Sequence, residues 1–243
     1  MKRMVKTAIA AIQILALTIV SAGLTGSHAA PATPQPGQII RIPCGMVNCY
    51  LIVGQGQCVL VDTGASNSRK KVYDAVKDYP VSLIVLTHGH YDHIQNAAYL
   101  AEKLNAKIAM HADDAELIAN QAAQKACGRT PVQKISALFS NLAPSAVKID
   151  PFRPDFFVSG GQTLEQYGID AKIIELKGHT KGSIGILVNG GADFIVGDAM
   201  MNIFKVTEPF LFVNYDDLRA SMKIIEDSGA TVYPGHGRSY TQS

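Results

Sequence analysis

The sequence predicts an α/β protein in which two β-sheets pack together and helices lie outside them. Short apolar runs with strand character occur in both halves of the chain, and segments with helical periodicity lie between and after them. Alternating strands and helices alone would indicate one parallel sheet, but adjacent hairpins argue against that arrangement. Two packed sheets account for both observations, because each sheet then buries one face against the other.

The first half of the chain is predicted to begin with strands and then to alternate helices with strands. A glycine turn, Gly54-Gln55-Gly56, joins two of the strands into a hairpin. Pro80 ends the first helix, and Asp113 has the residue type of an N-cap for the third. The predicted strands are 38–42, 47–53, 57–61, 81–86 and 107–110, and the predicted helices are 69–77, 94–104 and 113–127.

The second half begins with a segment, residues 131–159, that is interrupted by prolines and mixes Phe with Leu. This pattern predicts a helix and loops rather than core sheet. The phenylalanines at its end either roof a pocket or pack as an insert onto the sheets. The elements predicted after it are strands at 171–175, 184–188, 193–196 and 231–233 and a helix at 215–228.

The N-terminus has the three parts of a secretory signal peptide. Residues 1–6 are basic, residues 7–24 are almost entirely apolar, and Ser27 and Ala29 are small residues suited to signal-peptidase cleavage. We therefore predict export to the periplasm or the extracellular space. The alternative is an uncleaved membrane anchor, because the apolar run approaches the ~18 residues needed to span a bilayer.

This interpretation divides the chain into a signal peptide or anchor at 1–29, a proline-rich linker at 30–37 and one domain at 38–243. Removing Lys2, Arg3 and Lys6 from the formal charge of +2 leaves −1 for the remainder. That balance gives no support for nucleic-acid binding.

The four cysteines, Cys44, Cys49, Cys58 and Cys127, are predicted to be buried thiols, since Cys44 and Cys49 on one strand would face opposite sides.

A cluster of potential metal ligands stands in the middle of the chain. His88, His90, Asp92 and His93 occupy four of six consecutive positions, after an apolar strand and before a helical run. Borderline metals such as zinc favour imidazole and carboxylate ligands. The segment therefore predicts a metal site on a strand-to-helix loop.

Three further residues share this context of a polar side chain beside glycine after an apolar run. They are His179 in Gly178-His179-Thr180, Asp198 after Gly197, and His236 in Gly235-His236-Gly237. Each would lie at the rim of a sheet, where glycine permits tight turns and close backbone approach.

In this order the residues resemble the metallo-β-lactamase fold superfamily, over about residues 38–237. The resemblance extends to Val47–Ile52, Leu60–Gly64 and Pro234–Gly237. It implies a four-layer αββα sandwich of two mixed β-sheets with a dinuclear metal site at one edge. It assigns His88, His90 and His179 to one metal, Asp92, His93 and His236 to the other, and Asp198 as the bridge between them.

The resemblance implies two divalent metal ions, with zinc expected first and iron or manganese also suited to such ligands. It makes Asp92 and Asp198 the candidate catalytic residues of a hydrolase that uses a metal-bridging hydroxide. Asp62 either accepts a hydrogen bond from a ligand histidine or simply forms the Asp-Thr-Gly turn. The expected substrate is an ester, thioester, lactone or amide of a small molecule.

Asp198 favours the glyoxalase II-like and lactonase-like branches, because similar β-lactam-hydrolysing members carry Cys or Ser at this position. Only seven residues follow His236, so the C-terminal helical region that binds glutathione in glyoxalase II is not expected, and a glutathione thioester is disfavoured. Three alternatives stay open. They are a mononuclear iron enzyme resembling the persulfide dioxygenases, a β-lactamase-type amide hydrolase, and a non-catalytic binding module.

Overall fold

Two large β-sheets, a separate two-stranded sheet and the helices on the outer faces make up the computed structural model, which describes residues 34–142 and 147–241. The strands are β1 (Ile39–Cys44), β2 (Val47–Val53), β3 (Cys58–Val61), β4 (Val81–Val85), β5 (Lys107–Met110), β6 (Phe156–Phe157), β7 (Ala171–Glu175), β8 (Ile184–Val188), β9 (Asp193–Gly197), β10 (Met201–Asn202), β11 (Val206–Thr207), β12 (Thr231–Pro234) and β13 (Tyr240–Thr241). The α-helices are α1 (Arg69–Val76), α2 (Tyr91–Ile94), α3 (Ala97–Leu104), α4 (Glu116–Ala119), α5 (Pro131–Leu142) and α6 (Tyr215–Ser228).

The N-terminal segment predicted to be a signal peptide, and most of the predicted linker, lie outside the described residues. Among the helices that the structure does describe, every one is too short or too polar to cross a membrane.

Both sheets are mixed, as the resemblance implied. The first sheet has the order β1-β2-β3-β4-β5-β6, with antiparallel pairing from β1 to β3 and parallel pairing from β3 to β6. The second has the order β13-β12-β9-β8-β7, in which β9 and β12 are parallel and the other pairs are antiparallel. As a result β7, β9 and β12 run in one direction and end at the same edge.

The alternation of side chains along the strands creates the layers. In β2, Tyr50 and Ile52 pack between the sheets with residues such as Ile186 of β8, whereas Cys49 and Leu51 face the other way. That outer face is covered by apolar residues of α1 and α3. The second sheet has its own outer cluster, which includes Val232 and Ile225 of α6. The αββα architecture is confirmed.

The helix predicted over 113–127 is wrong. Residues 112–114 form a 3₁₀ turn, α4 is a single turn, and 120–127 are irregular. Asp113 does not cap a helix; instead its backbone N–H donates to Nδ1 of His111, which is buried. Neighbouring Asp114 and Gln124 bond to loops elsewhere in the chain, and these tertiary bonds displace the local helical preference.

The segment predicted as helix and loops, 131–159, also contributes a strand. Phe156 and Phe157 form β6 at the edge of the first sheet, paired with β5. Phe152 and Phe156 pack against the two cores, so this end of the segment packs onto the sandwich, which was one of the two alternatives.

The predicted helix at 94–104 is split into α2 and α3, because Asn96 donates from its side chain to Thr63, Gly64 and Ala65 carbonyls.

The cysteines are free thiols, and Cys127 is exposed rather than buried. Cys44 and Cys49 lie on adjacent antiparallel strands joined by a tight turn, not on one strand, and their sulfurs are 3.7 Å apart. The assumption that the two side chains face opposite sides was therefore wrong.

Candidate metal centre

All seven predicted ligands meet at the edge where the strands end. His88 and His90 follow β4, and Asp92 and His93 lie in α2 directly after them. The other three come from the second sheet, and they follow β7, β9 and β12 respectively: His179, Asp198 and His236. A backbone bond from Ile184 N–H to the Thr87 carbonyl (2.8 Å) joins the two sheets at this edge.

The side-chain atoms form three overlapping groups in which every ligand atom lies within 4.8 Å of the others in its group. The groups are His88, His90 and His179; His88, His93 and Asp198; and Asp92, His93 and His236. These sets divide the residues much as the resemblance assigned them to two metals.

Asp198 stands between the two sides. Its Oδ2 lies 3.6 Å from Nε2 of His179 and 3.1 Å from Nε2 of His236, and its Oδ1 lies 3.4 Å from Nε2 of His93. The neighbouring Gly235 permits this close approach, because a Cβ there would lie 2.2 Å from Asp198 Oδ1. The carboxylate is thus in position to contact ions on both sides.

Three buried polar atoms at this centre have no hydrogen-bond partner among the described residues. They are Nε2 of His88, Nε2 of His93 and Oδ1 of Asp198. An unpaired buried polar group costs about 1–3 kcal/mol, so a folded chain is not expected to leave three together without a ligand. Cations bound at this point would satisfy all three, and the residues therefore fit a metal centre.

The far ring nitrogens are held by hydrogen bonds, which aim the near nitrogens at the centre. Nδ1 of His179 lies 3.0 Å from the Leu211 carbonyl, and Nδ1 of His236 lies 2.9 Å from the Met46 carbonyl. Such contacts fix the tautomer and the ring orientation of metal ligands.

Asp62 contacts both ends of the first ligand segment, residues 87–93. Its carboxylate accepts hydrogen bonds from the Thr87 backbone N–H (2.8 Å) and hydroxyl (2.9 Å), and its Oδ2 lies 2.8 Å from Nδ1 of His93. The residue is buried and has φ +59°, a left-handed conformation that Asp tolerates better than most side chains. Asp62 therefore both forms the turn and contacts a candidate ligand.

Burial sets the protonation of the first histidine group. Burial and neighbouring imidazoles hold the pKa of His88 well below its usual value and lower the pKa of His90 to about 3. Burial also lowers the pKa of His179. These three rings are neutral at pH 7, which is the form that binds a metal.

In the second group, nearby carboxylates raise the pKa values of the histidines. For His93, burial lowers the pKa, but Asp198, Asp62 and Asp92 outweigh it and raise the value to about 10. For Asp198, burial opposes ionisation, but His93 and His236 hold its pKa well below the usual range. The buried carboxylate is therefore ionised and available to a cation.

A cavity of about 570 Å³ opens beside the centre. His90, Asp92 and His179 form its inner wall. Met201, Phe210 and Phe212 form an apolar wall, and Gln121, Ser140 and Asn141 add neutral polar groups. Sequence reasoning did not identify these walls, because they come from irregular segments without a chemical signature.

Asp62→Asn is expected to weaken metal binding about 10- to 100-fold while all seven candidate ligands remain, the usual cost of losing a hydrogen-bonded partner behind a metal ligand. The amide would replace a carboxylate oxygen that faces Thr87 or His93. Competition with a chromophoric chelator measures the dissociation constant, and Asp78→Asn, at an exposed site, serves as the control. Unchanged affinity in Asp62→Asn would show that the ring of His93 is positioned by other contacts.

Comparison with known proteins agrees with this geometry. The family model of the metallo-beta-lactamase superfamily matches residues 42–236. Hydroxyacylglutathione hydrolase GloC of Haemophilus influenzae is 26% identical over 214 residues, which cover 84% of this chain and 91% of that protein.

Solved structures share the fold. A metallo-beta-lactamase family protein of Thermus thermophilus matches with a TM-score of 0.65 at 22% identity, covering 86% of this chain and 76% of that one. The protein TTHA1623, crystallised in a di-iron-bound form, matches with a TM-score of 0.54 at 24% identity, covering 88% of this chain and 94% of that one. Since the family model spans nearly all of the described domain, the chain belongs to the metallo-beta-lactamase superfamily.

Proposed function

We propose that the protein is a metal-dependent hydrolase of the glyoxalase II-like branch that cleaves an ester, thioester, lactone or amide of a small molecule. The observation that carries the proposal is the position of Asp198 between two sets of inward-facing ligands, beside a cavity of substrate size. Two divalent ions, zinc in the first instance, would be held by His88, His90 and His179 on one side and by Asp92, His93 and His236 on the other.

Two divalent ions held by these residues would lower the pKa of a bound water toward ~7 and would polarise the bond under attack. The residues of the chain supply position and proton transfer. Asp92 lines the cavity and remains partly exposed, with its Oδ2 3.7 Å from Nε2 of His236. That carboxylate can accept a proton from the attacking water and return it to the leaving group.

The cavity favours an uncharged substrate. No lysine or arginine of the described residues lines it, and much of its wall is apolar. A glutathione thioester, the substrate class in the name of the Haemophilus influenzae relative, would bring two carboxylates, and the cavity wall offers no cation to pair with them. The aligned region covers 91% of that relative, so the argument about substrate rests on the charge of the cavity wall and not on chain length.

The test begins with metal analysis of the purified chain. Two ions per chain are expected, whereas one iron per chain with oxygen-dependent oxidation of a persulfide would replace the proposal with the dioxygenase alternative.

Hydrolysis is then compared for one acyl group carried by uncharged N-acetylcysteamine and by glutathione. The uncharged thioester is expected to have the higher kcat/KM by about tenfold or more, or 1.4 kcal/mol.

A chromogenic cephalosporin and a set of lactones complete the panel. Rapid cleavage of the cephalosporin alone would favour the β-lactamase-type alternative. Metal binding without hydrolysis of any substrate would favour a binding module.

We also propose that the protein acts after export. The support is the basic, apolar and small-residue order of residues 1–29. Cell fractionation with N-terminal sequencing is expected to find a mature chain that begins near residue 30 outside the cytoplasm. An intact N-terminus in the membrane fraction would favour the anchor formed by residues 7–24, and a cytoplasmic chain would contradict export.

A further inference from the structure

Helix α5 presents its large apolar residues to solvent. Its inward face consists of small or polar residues, with Gln133 and Ala137 buried. The outward face carries Val132, Ile135, Leu138 and Phe139, and Phe139 is 67% exposed. A surface helix normally buries its large apolar residues against the core. This helix therefore leaves an apolar face that the described part of the domain does not cover.

A second apolar projection stands at the turn between β10 and β11. Ile203 and Phe204 occupy that turn, and Phe204 is 99% exposed. Exposed large apolar groups that cluster in this way mark interaction sites more often than single exposed residues do. We call the two projections together the apolar rim, which consists of Val132, Ile135, Leu138, Phe139, Ile203 and Phe204.

The apolar rim adjoins residues that line the cavity beside the metal centre. Ser140 and Asn141, which directly follow Phe139, line the cavity, and Met201 of β10 lines it as well. The two sides are connected, because Arg129 before α5 forms an ion pair with Glu208 after β11 (3.3 Å). A partner on the rim would therefore lie next to the cavity.

The sequence segment that contains α5 carries only positive charge. Residues 117–149 contain no aspartate or glutamate but four cations, Lys125, Arg129, Lys134 and Lys148, although the chain beyond the signal region is close to neutral. Lys205 stands beside Phe204 in the hairpin. Within the described ranges, no carboxylate lies at ion-pair distance from Lys125, Lys134 or Lys205. These ammonium groups can thus attract an anionic partner.

Aromatic and aliphatic side chains mixed with lysines and without acids are typical of helices that lie on membranes. Protein interfaces, in contrast, are depleted in lysine. At a lipid surface the lysine stems pack among apolar groups while the ammonium groups reach the phosphates. We propose that the apolar rim docks on an anionic lipid surface, which brings the cavity close to the membrane. The docking does not depend on which bond the metal centre cleaves.

The absence of tryptophan from the chain allows a local test. Phe204→Trp and Phe139→Trp each place one reporter on the rim, and Phe157→Trp places one on β6, where Phe157 is also half exposed. The full chain is mixed with vesicles of phosphatidylcholine and phosphatidylglycerol, with or without brominated acyl chains. Because interfacial helices insert about 5–10 Å, we expect a blue shift and bromine quenching for both rim reporters and neither effect for Phe157→Trp.

Each result decides the proposal. Binding through the N-terminal segment alone would leave all three reporters alike, and this would overturn it. So would a blue shift of Phe204→Trp that depends on protein concentration without vesicles, since a second copy would then cover the rim. Two rim reporters at exposed sites keep the test valid if one variant fails to fold. With pure phosphatidylcholine, or with Lys125→Gln/Lys134→Gln, the rim signal is expected to weaken.

Discussion

Asp198→Ala is expected to leave a folded chain that has lost the second metal ion and roughly 10³-fold of its hydrolytic rate, equivalent to about 4 kcal/mol of transition-state stabilisation. The variant removes the carboxylate that faces both ligand sets at 3.1–3.6 Å. The first set, His88, His90 and His179, keeps three neutral imidazoles and retains its ion. The second set keeps its histidines but loses a negative charge.

The fold is expected to tolerate the change because Asp198 supports no helix or strand through its side chain, whose contacts are with the ligand histidines. Elemental analysis gives the metal content, circular dichroism gives the fold, and kcat/KM gives the activity. Asp193→Asn is the matched control, since Asp193 begins the same strand β9 at the end remote from the centre and bonds to Asn189 and Tyr233. Full metal content and activity in Asp198→Ala would refute the assignment of the centre.

The candidate ligands could be predicted because each one interrupts a simple pattern. An apolar strand ends, glycine lets the backbone turn, and a residue with metal-binding chemistry follows, as at His179 and His236. The direction of the strands brings the ligands of the second sheet together, since β7, β9 and β12 are parallel to one another and must end at one edge. Seven side chains from four separate segments of the chain are thus brought together by the topology of the sheets.

The cavity could not be predicted in this way. Its walls come from residues 121–141 and 201–213, which hold together through non-local contacts such as the backbone pairing of Cys127 with Phe212. No periodic pattern encodes such pairing. The helix expected over 113–127 failed for a related reason, because its polar side chains satisfy distant loops instead of a local cap. Asp114 accepts several of these bonds, and nothing in the sequence distinguishes it from a surface acid.

Asp114 joins the two loops that carry His88 and His90 on one side and His179 on the other. Its buried carboxylate accepts four hydrogen bonds, from Gly89 N–H (2.8 Å), Gly182 N–H (2.8 Å), the Thr180 hydroxyl (2.7 Å) and the Gln124 side-chain amide (2.9 Å). Gly89 lies between His88 and His90, and Thr180 follows His179. The positions of three candidate ligands therefore depend on one carboxylate that touches none of them.

Asp114→Asn is expected to lower the free energy of unfolding by roughly 3 kcal/mol. The amide oxygen can still accept two of the four bonds, but the amide NH₂ group would face two donors, and each lost bond of this charged kind is worth about 1.5 kcal/mol. Urea denaturation measures the loss. Metal affinity is expected to fall in the folded variant as well, because the loops that carry His90 and His179 are no longer tied to each other.

The neighbouring residue provides the control. Asp113 carries the same carboxylate, but it is half exposed and forms only long ion pairs with Lys177 (3.6 Å) and His111 (3.7 Å). Exposed pairs of this kind contribute about 0–1 kcal/mol, so Asp113→Asn should unfold close to the wild type. Equal stability of the two variants would mean that the buried hydrogen bonds of Asp114 stabilise the fold no more than a surface charge does. The relative position of the two histidine loops would then have to be set by the backbone hydrogen bond between Thr87 and Ile184.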